Sequence, residues 1–129
     1  MIYEVKSPIL GFEKIESMEL KKIDEIFAKL TDSKNQNISF TLVNPFSLRD
    51  YDVEIPQNYQ DLLQIDKDTE VEVYCTMILQ NPILNSTINF LAPIIFNNDK
   101  KIMGQIVLDN TKYPNYSIAE QISNYLSKY

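Results

Sequence analysis

The sequence contains no histidine and no tryptophan, and it has a single cysteine and only two glycines in 129 residues. Without histidine, neither a Ser-His-Asp triad nor an imidazole metal ligand can be assembled. Cys75 alone can form neither an internal disulfide nor a thiolate zinc cluster, which is typical of a protein from a reducing compartment. The two glycines lie 93 residues apart, so there is no glycine-rich phosphate-binding loop. These absences exclude most classes of enzyme.

Long apolar runs and an excess of basic residues are also missing. The longest uninterrupted apolar segment, residues 90–96, is far shorter than the roughly 20 residues that span a membrane. The N-terminus has neither the basic start nor the apolar stretch of a signal peptide. Eighteen acidic side chains against twelve basic ones give a net charge of −6, and a phosphate backbone repels such a protein. We therefore expect a cytoplasmic protein that contacts neither membrane nor nucleic acid directly.

Composition and patterning predict one β-rich domain over residues 1–129. Hydrophobic residues make up 44% of the chain, which is enough for a packed core at this length. Six prolines divide the chain into short pieces, and apolar and polar residues alternate within several of them, which favours short strands over long helices. The alternation predicts strands at residues 2–5, 38–43, 51–55, 71–79, 87–96 and 101–109, the last two joined by a polar turn.

Two segments have the pattern of short helices. Residues 56–63 begin with proline and place their apolar side chains on one face. Ser117 and Glu120 have the spacing of a capping box, which predicts a helix in a C-terminal segment of about residues 115–127. A narrow apolar stripe would run along that helix, formed by Ile118, Ile122 and Tyr125.

Few residues could carry chemistry. The sequence Asp66-x-Asp68-x-Glu70 opens like a calcium-binding loop, but the sixth and twelfth positions hold Val71 and Met77 instead of glycine and glutamate. Cys75 lies in a predicted core strand without a neighbouring base, which indicates a small buried hydrophobic residue. We therefore predict neither an enzyme nor a cofactor or metal site.

Acidic residues form two sets with strand-like spacing. Asp50, Asp52 and Glu54 alternate with apolar residues, and a second set extends through Glu70 and Glu72. Ordinary solvent-facing charge opposite a core face is one interpretation of this pattern. The other is a surface that docks a basic protein and steers its approach. These five carboxylates are the candidate partner-binding residues.

Four sequence blocks, in order along the chain, carry a resemblance to a known family. They are Pro-Ile-Leu-Gly-Phe-Glu at 8–13, the strand and x-Pro-aromatic turn at 40–46, the Ser-Thr-Ile-Asn-Phe-Leu-Ala-Pro core within 81–97, and Met-Gly-Gln-Ile-Val-Leu-Asp at 103–109. Together they resemble the FliW family of flagellar assembly factors. The high content of Ile, Asn and Lys is most similar to members from the epsilonproteobacterial branch.

The resemblance implies a mainly β fold, a small antiparallel barrel-like domain with one or two short helices. It also bears on residues 18–30, whose apolar period favours a helix but also fits strand edges. Members of the family place two short strands near 18–23 and 26–31, and we adopt that prediction. Gly11 and Gly104 would then occupy tight backbone positions, and Pro93 a strand irregularity.

The resemblance also implies a function without catalysis. FliW-like proteins bind CsrA, an RNA-binding translational repressor, and they bind flagellin, so that the flagellin level controls translation of flagellin mRNA. An acidic protein would be steered toward the basic RNA-binding face of CsrA. Flagellin would need an apolar groove or a sheet edge, and the stripe on the C-terminal helix is a candidate unless it packs as core. The alternative is a small β-barrel binding module for another basic protein or a small ligand.

Overall fold

Strands make up most of the regular structure in the computed structural model, which describes residues 1–127. The strands are β1 (Ile2–Ser7), β2 (Ser17–Lys22), β3 (Phe27–Asp32), β4 (Asn35–Val43), β5 (Val71–Ile78), β6 (Thr87–Asn97), β7 (Ile102–Gln105) and β8 (Glu120–Gln121). The helix α1 (Gln57–Leu62) and three 3-10 turns (Pro45–Ser47, Ile83–Asn85 and Ile122–Asn124) complete the elements. The predicted fold class is confirmed.

Seven of these strands close into a barrel. Their order is β5-β4-β3-β2-β1-β7-β6, and β6 pairs back onto β5. These pairings are antiparallel except the one between β1 and β7, which is parallel and sets Val5 opposite Met103. The short strand β8 extends the sheet from β6, with Gln121 opposite Thr87. The barrel is therefore closed by a contact between the first strand and one about a hundred residues later.

The inside of the barrel is filled by side chains, because alternate residues of every strand point inward. The ring centroid of Phe96 lies 4.9 Å from that of Tyr3 and 5.9 Å from that of Tyr74, and both contacts are edge to face. The buried interior residues are Tyr3, Ile9, Ile15, Met18, Leu20, Ala28, Leu30, Leu42, Tyr74, Ile94, Phe96 and Met103.

An outer layer covers part of the barrel from outside. It consists of residues 44–70, which connect β4 to β5, and residues 106–126, which follow β7. The strand β6 is buried on both faces as a result: Phe96 points into the barrel, whereas Ile95 packs against Leu63 and other residues of the outer layer. Burial on two sides explains why β6 has few polar residues.

Most predicted elements in the barrel are confirmed, including both strands inside residues 18–30. Lys22 and Phe27 bound the turn between them, and Leu20 faces Leu30 across the pair. The helical period of this region was misleading because each strand contributes its own inward-facing residues. The predicted strand at 101–109 is shorter, since β7 ends at Gln105.

The predicted strand at residues 51–55 is wrong. The segment is extended and its residues alternate between the core and solvent, but it has no strand partner among residues 1–127. Its backbone is held by tyrosine hydroxyl groups instead of a neighbouring strand. Alternation reports which side of a chain is buried, and it does not report what pairs with the backbone.

The predicted C-terminal helix is also wrong. Half of the capping box does form, because the backbone N–H of Ser117 donates to the Glu120 carboxylate at 3.1 Å. The chain then turns into β8 and a single 3-10 turn, and the backbone N–H of Ile122 donates to the carbonyl of Ser86 at 2.9 Å. Pairing with the barrel and burial of Ile122 therefore override the local helical preference.

Both glycines occupy the tight positions predicted for them. Gly11 has a positive φ of 88°, where other residues are strained. A Cβ atom on Gly104 would lie 2.6 Å from the Cβ of Ser7, so β1 and β7 can approach each other only at a glycine. Pro93 lies in a stretch of β6 where the register with β5 shifts, as expected for a strand irregularity.

Three of the four blocks that carry the family resemblance meet at Gln105. Its side-chain oxygen accepts the backbone N–H of Leu10 at 2.9 Å, and its side-chain nitrogen donates to the carbonyl of Ala92 at 3.0 Å. Gln105 is buried, and its bond to Ala92 is shielded from water, whereas the bond from Leu10 is partly buried. The motif residues therefore hold the barrel together, and their role is structural.

Candidate partner-binding surface

Three exposed carboxylates line one extended segment of the outer layer. We call Asp50, Asp52 and Glu54 the acidic strip. Tyr51 between them is buried, and its hydroxyl donates to the carbonyl of Phe90 at 2.7 Å. The acidic side chains therefore face solvent on one side of a chain whose other side is anchored in the core.

Two tyrosine hydroxyls hold the backbone of the strip. The N–H of Asp52 donates to the hydroxyl of Tyr116 at 2.8 Å, and that hydroxyl lies 3.2 Å from the carbonyl oxygen of Asp52, to which it donates in turn. The N–H of Glu54 donates to the hydroxyl of Tyr113 at 2.8 Å. The two tyrosine rings stack with their centroids 5.6 Å apart. In an extended chain the N–H groups of residues i and i+2 point the same way, so the hydroxyls take the place of a neighbouring strand.

Arg49, directly before the strip, ties it to the C-terminal residues. Its guanidinium carbon lies 5.1, 4.7 and 5.5 Å from the ring centroids of Phe90, Tyr116 and Tyr125. One guanidinium nitrogen is 3.3 Å from the Glu120 carboxylate. The side chains of Arg49 and Glu120 are only 17% and 16% exposed, so the pair is shielded and the arginine does not offset the charge of the strip.

The predicted apolar stripe does not form a common face. Ile122 is 1% exposed and packs in the core, whereas Ile118 is 69% exposed. Tyr125 is half-buried, and its hydroxyl contacts both Arg49 and Glu120. Burial and the hydrogen bond to Glu120 raise the pKa of Tyr125 above its ordinary value. Of the three residues, only Ile118 presents its apolar side chain to solvent.

The second acidic set is divided between solvent and an ion pair. Glu70 is exposed, but Glu72 lies 2.9 Å from the Lys22 ammonium and accepts the side-chain amide of Asn98 at 2.7 Å. Burial by itself raises the pKa of Glu72, but the bonds from Lys22 and Asn98 outweigh it and lower the pKa below its ordinary value. Glu72 is therefore less available to a partner than the strip.

The acidity of the whole chain is concentrated in one segment. Between residues 50 and 72 there are eight acidic side chains and one lysine, more than the entire net charge of −6. Within residues 1–127, Glu72 is the only one of these eight in an ion pair. A count of charges by segment could have found this asymmetry in the sequence.

Three important residues carried no clear signal in the sequence. Arg49, Tyr113 and Tyr116 build the support of the strip, but they act across 59 to 76 residues of chain. Cys75, by contrast, is buried as predicted, and burial raises the pKa of its thiol to about 12.

The residues described contain no cluster of three acidic or cysteine side chains placed to hold a metal ion. No helix within residues 1–127 is long and apolar enough to cross a membrane.

The architecture defines a class of protein, a small closed β-barrel wrapped by an outer layer of irregular segments. Comparison with known proteins is more specific, because the model of the FliW protein family matches residues 1–120. The chain belongs to the FliW family, and the resemblance found in the sequence is confirmed.

Several relatives match nearly the whole chain. Flagellar assembly factor FliW 1 of Wolinella succinogenes is 47% identical over 99% of this chain and 100% of its own length. Flagellar assembly factor FliW of Campylobacter lari is 41% identical over 99% of this chain and 98% of its own. A crystal structure of the flagellar assembly factor FliW has the same fold, with a TM-score of 0.84, 27% identity, and coverage of 94% of this chain and 84% of that one.

Proposed function

We propose that this protein is a flagellar assembly factor that acts in the cytoplasm without catalysis, by binding the translational repressor CsrA and flagellin in turn. The names of its relatives support the assembly role. The observation that carries the CsrA contact is the acidic strip, because Asp50, Asp52 and Glu54 are exposed and make no ion pair within residues 1–127.

The strip suits a basic RNA-binding face for two physical reasons. Carboxylates two residues apart on an extended chain are spaced by roughly 7 Å, so several cations of one partner can be contacted together. Unpaired exposed charge also steers a partner of opposite sign and repels RNA from the complex. Both effects weaken as salt screens the charges.

Flagellin would act by linkage. If one protein binds both CsrA and flagellin, a rise in the flagellin concentration shifts that protein to the flagellin complex. CsrA is then released and can bind flagellin mRNA again. The outcome depends only on relative affinities and concentrations, and no reaction is required.

Two apolar features fit the flagellin contact. The first is an open edge, because β4 pairs with β5 only over Thr41–Val43 and the edge before Thr41 has no strand partner on that side within residues 1–127. Ile78 and Leu79 are 66% and 56% exposed where β5 ends. The second feature is Ile118 in the C-terminal residues. A sheet edge accepts an extended segment, whereas an isolated apolar side chain does not define a groove.

Charge reversal tests the CsrA contact. We expect the triple variant Asp50→Lys, Asp52→Lys, Glu54→Lys to bind purified CsrA at least tenfold more weakly in calorimetry, and the wild-type affinity to fall with added salt. The matched control is Glu4→Lys, Glu16→Lys, Glu19→Lys, which reverses three carboxylates that already have lysine partners. Equal affinity of the strip variant and the wild type at low and high salt would show that the strip does not bind CsrA.

Lysine substitutions separate the two apolar features. Flagellin binding that is lost in Ile78→Lys, Leu79→Lys but kept in Ile118→Lys assigns the contact to the open edge of the sheet. The reverse result assigns it to the C-terminal residues. Binding that survives in both variants excludes both surfaces.

A small ligand is a second candidate partner. A cleft of about 340 Å³ is lined by three apolar and three charged side chains and by Gly11. The apolar residues are Phe12, Ile15 and Ile38, and the charged ones are Glu13, Lys14 and Asp32. This size is within the range of small-molecule sites. A ligand-dependent rise in melting temperature, together with recovery of neither CsrA nor flagellin in a pulldown from native cytosol, would favour this alternative.

A further inference from the structure

Hydrogen bonds from the C-terminal residues hold the backbone of the acidic strip at Asp52 and Glu54. We call residues 113–126 the C-terminal strap. We propose that Tyr113 and Tyr116 are positioning residues that couple the strap to the strip, so that a partner which displaces the strap also weakens binding of a basic protein at the strip. The effect on the basic partner rests on the proposed function; the coupling itself is a property of the free chain.

The hydrogen bonds of the strip show where the coupling lies. The chain is fixed before Asp52 by the buried hydroxyl of Tyr51, and after Glu54 by the side chain of Gln60, which donates to the carbonyl of Ile55 at 2.7 Å. Between these two points, the hydrogen bonds to the backbone within residues 1–127 come only from the strap tyrosines. If those hydroxyls leave, the N–H groups of Asp52 and Glu54 lose their protein partners.

The strap is attached mainly through side chains. Glu120 and Tyr125 contact Arg49, and the rings of Tyr116 and Tyr125 lie against that of Phe90. The strap's pairing with the barrel is the two-residue strand β8, and Ile122 is its one fully buried side chain within the described residues. Single backbone bonds add to this at Ser117, which accepts from Phe90, and at Ile122, which donates to Ser86. A segment with so little strand pairing opens more readily than the strands of the barrel.

The strap also offers a contact to a partner. Ile118 is 69% exposed and lies between the strip tyrosines and the anchoring residue Ile122. A partner that binds Ile118 and pulls the strap outward would withdraw both hydroxyls from the strip. Coupling between two sites is reciprocal, so a basic protein that orders the strip would in turn tighten the strap against the barrel.

Amide hydrogen exchange in the free, full-length protein tests the coupling. The variant Tyr113→Phe, Tyr116→Phe keeps both rings and removes only the hydroxyls. We expect the amides of Asp52 and Glu54 to exchange at least about fivefold faster, as for loss of one net hydrogen bond each. The amide of Leu30 in the barrel should not change. Tyr59→Phe is the matched control, because Tyr59 is also a half-buried tyrosine of the outer layer.

A second variant, Ile122→Ala, changes the strap at a residue C-terminal to the two tyrosines. Ile122→Ala weakens the anchor at a residue that makes no hydrogen bond to the strip, and we expect faster exchange at Asp52 and Glu54 in this variant as well. In the background that lacks both hydroxyls, Ile122→Ala should have no further effect at those two amides, because the connection is already broken.

The outcomes distinguish this proposal from the proposed function. Unchanged exchange at Asp52 and Glu54 in the tyrosine variant, or in Ile122→Ala when the strap amides themselves exchange faster, overturns the coupling. If the coupling holds and CsrA binds, the tyrosine variant should bind CsrA several-fold more weakly with its salt dependence retained. If the coupling holds and CsrA does not bind the wild type, the proposed function fails while the coupling stands.

Discussion

The barrel and the outer layer satisfy their backbones in different ways. In the barrel, each strand bonds to its neighbours, and one open edge lies where β4 and β5 diverge. In the outer layer, side chains do this work: tyrosine hydroxyls hold the strip, and Asn97 donates to the carbonyl of Leu63 at 2.8 Å. The hydrogen bonds of a strand pair form cooperatively, whereas each side-chain hydrogen bond forms independently of the others. We therefore expect the barrel to contribute more to the free energy of unfolding than the outer layer does.

The two regions also differ in charge. The strands β1 to β3 and their turns carry lysines and carboxylates that pair locally, such as Lys6 with Glu4 and Lys21 with Glu19. The outer layer carries acidic residues with almost no cations nearby in sequence. Locally balanced charge favours solubility without a preferred partner, while unbalanced charge favours partners of one sign.

The largest expected effect is in the barrel interior. Phe96→Ala should lower the free energy of unfolding by about 3–5 kcal/mol, because it leaves a cavity between Tyr3 and Tyr74. Urea denaturation measures the change. The control is Phe46→Ala in the outer layer, a side chain that is 55% exposed. Equal losses from the two variants would contradict the division of roles between barrel and outer layer.

A smaller effect is expected at the arginine of the outer layer. Arg49→Met keeps much of the side-chain volume but removes the charge, so Glu120 loses its ion pair and three rings lose a cation–π contact. We expect a loss of about 2 kcal/mol in the free energy of unfolding. Lys21→Met is the control, since its ion pair with Glu19 is exposed and should matter by less than about 0.5 kcal/mol. A loss in Arg49→Met no larger than in the control would refute this account of the cluster.

The smallest expected effect is in an ion pair between two strands of the barrel, and it depends on pH. Glu72→Gln removes the ion pair with Lys22 of the barrel and should cost about 0.5 kcal/mol at pH 7. The pKa of Glu72 is lower in the folded state than its ordinary value of 4.5, so its contribution is complete above that pH. The difference between variant and wild type should shrink as the pH falls below 4.5, in unfolding curves at pH 7 and near pH 3. A difference that grows toward acid pH would contradict a lowered pKa of Glu72 in the folded state.

Sequence patterns predicted the barrel better than the outer layer. Alternation located β1, β4, β5 and β6, because those strands bury one face or both, and the resemblance corrected the helical period of residues 18–30. The same alternation misassigned residues 51–55, whose partners are tyrosines about sixty residues away. The capping box at Ser117 gave a local preference that burial of Ile122 overrode.

The candidate surface was predicted only in part. Asp50, Asp52 and Glu54 could be named from their spacing, since exposed residues opposite a core face recur at every second position. The long-range support from Arg49 and Tyr116 could not, because contacts across the chain depend on the tertiary fold. Glu72 shows the same limit: its lysine partner lies fifty residues earlier.

Because β1 pairs with β7, the barrel can close only late in the synthesis of the chain on the ribosome. Val5 cannot find Met103 until nearly the whole chain has been translated. A barrel whose first strand must wait for its seventh remains open during synthesis, with apolar residues accessible to chaperones. A truncated chain ending before residue 102 lacks the strand that joins β1 to β6. We therefore expect chaperones to bind such nascent fragments, and we expect the barrel to form only after β7 has been synthesised.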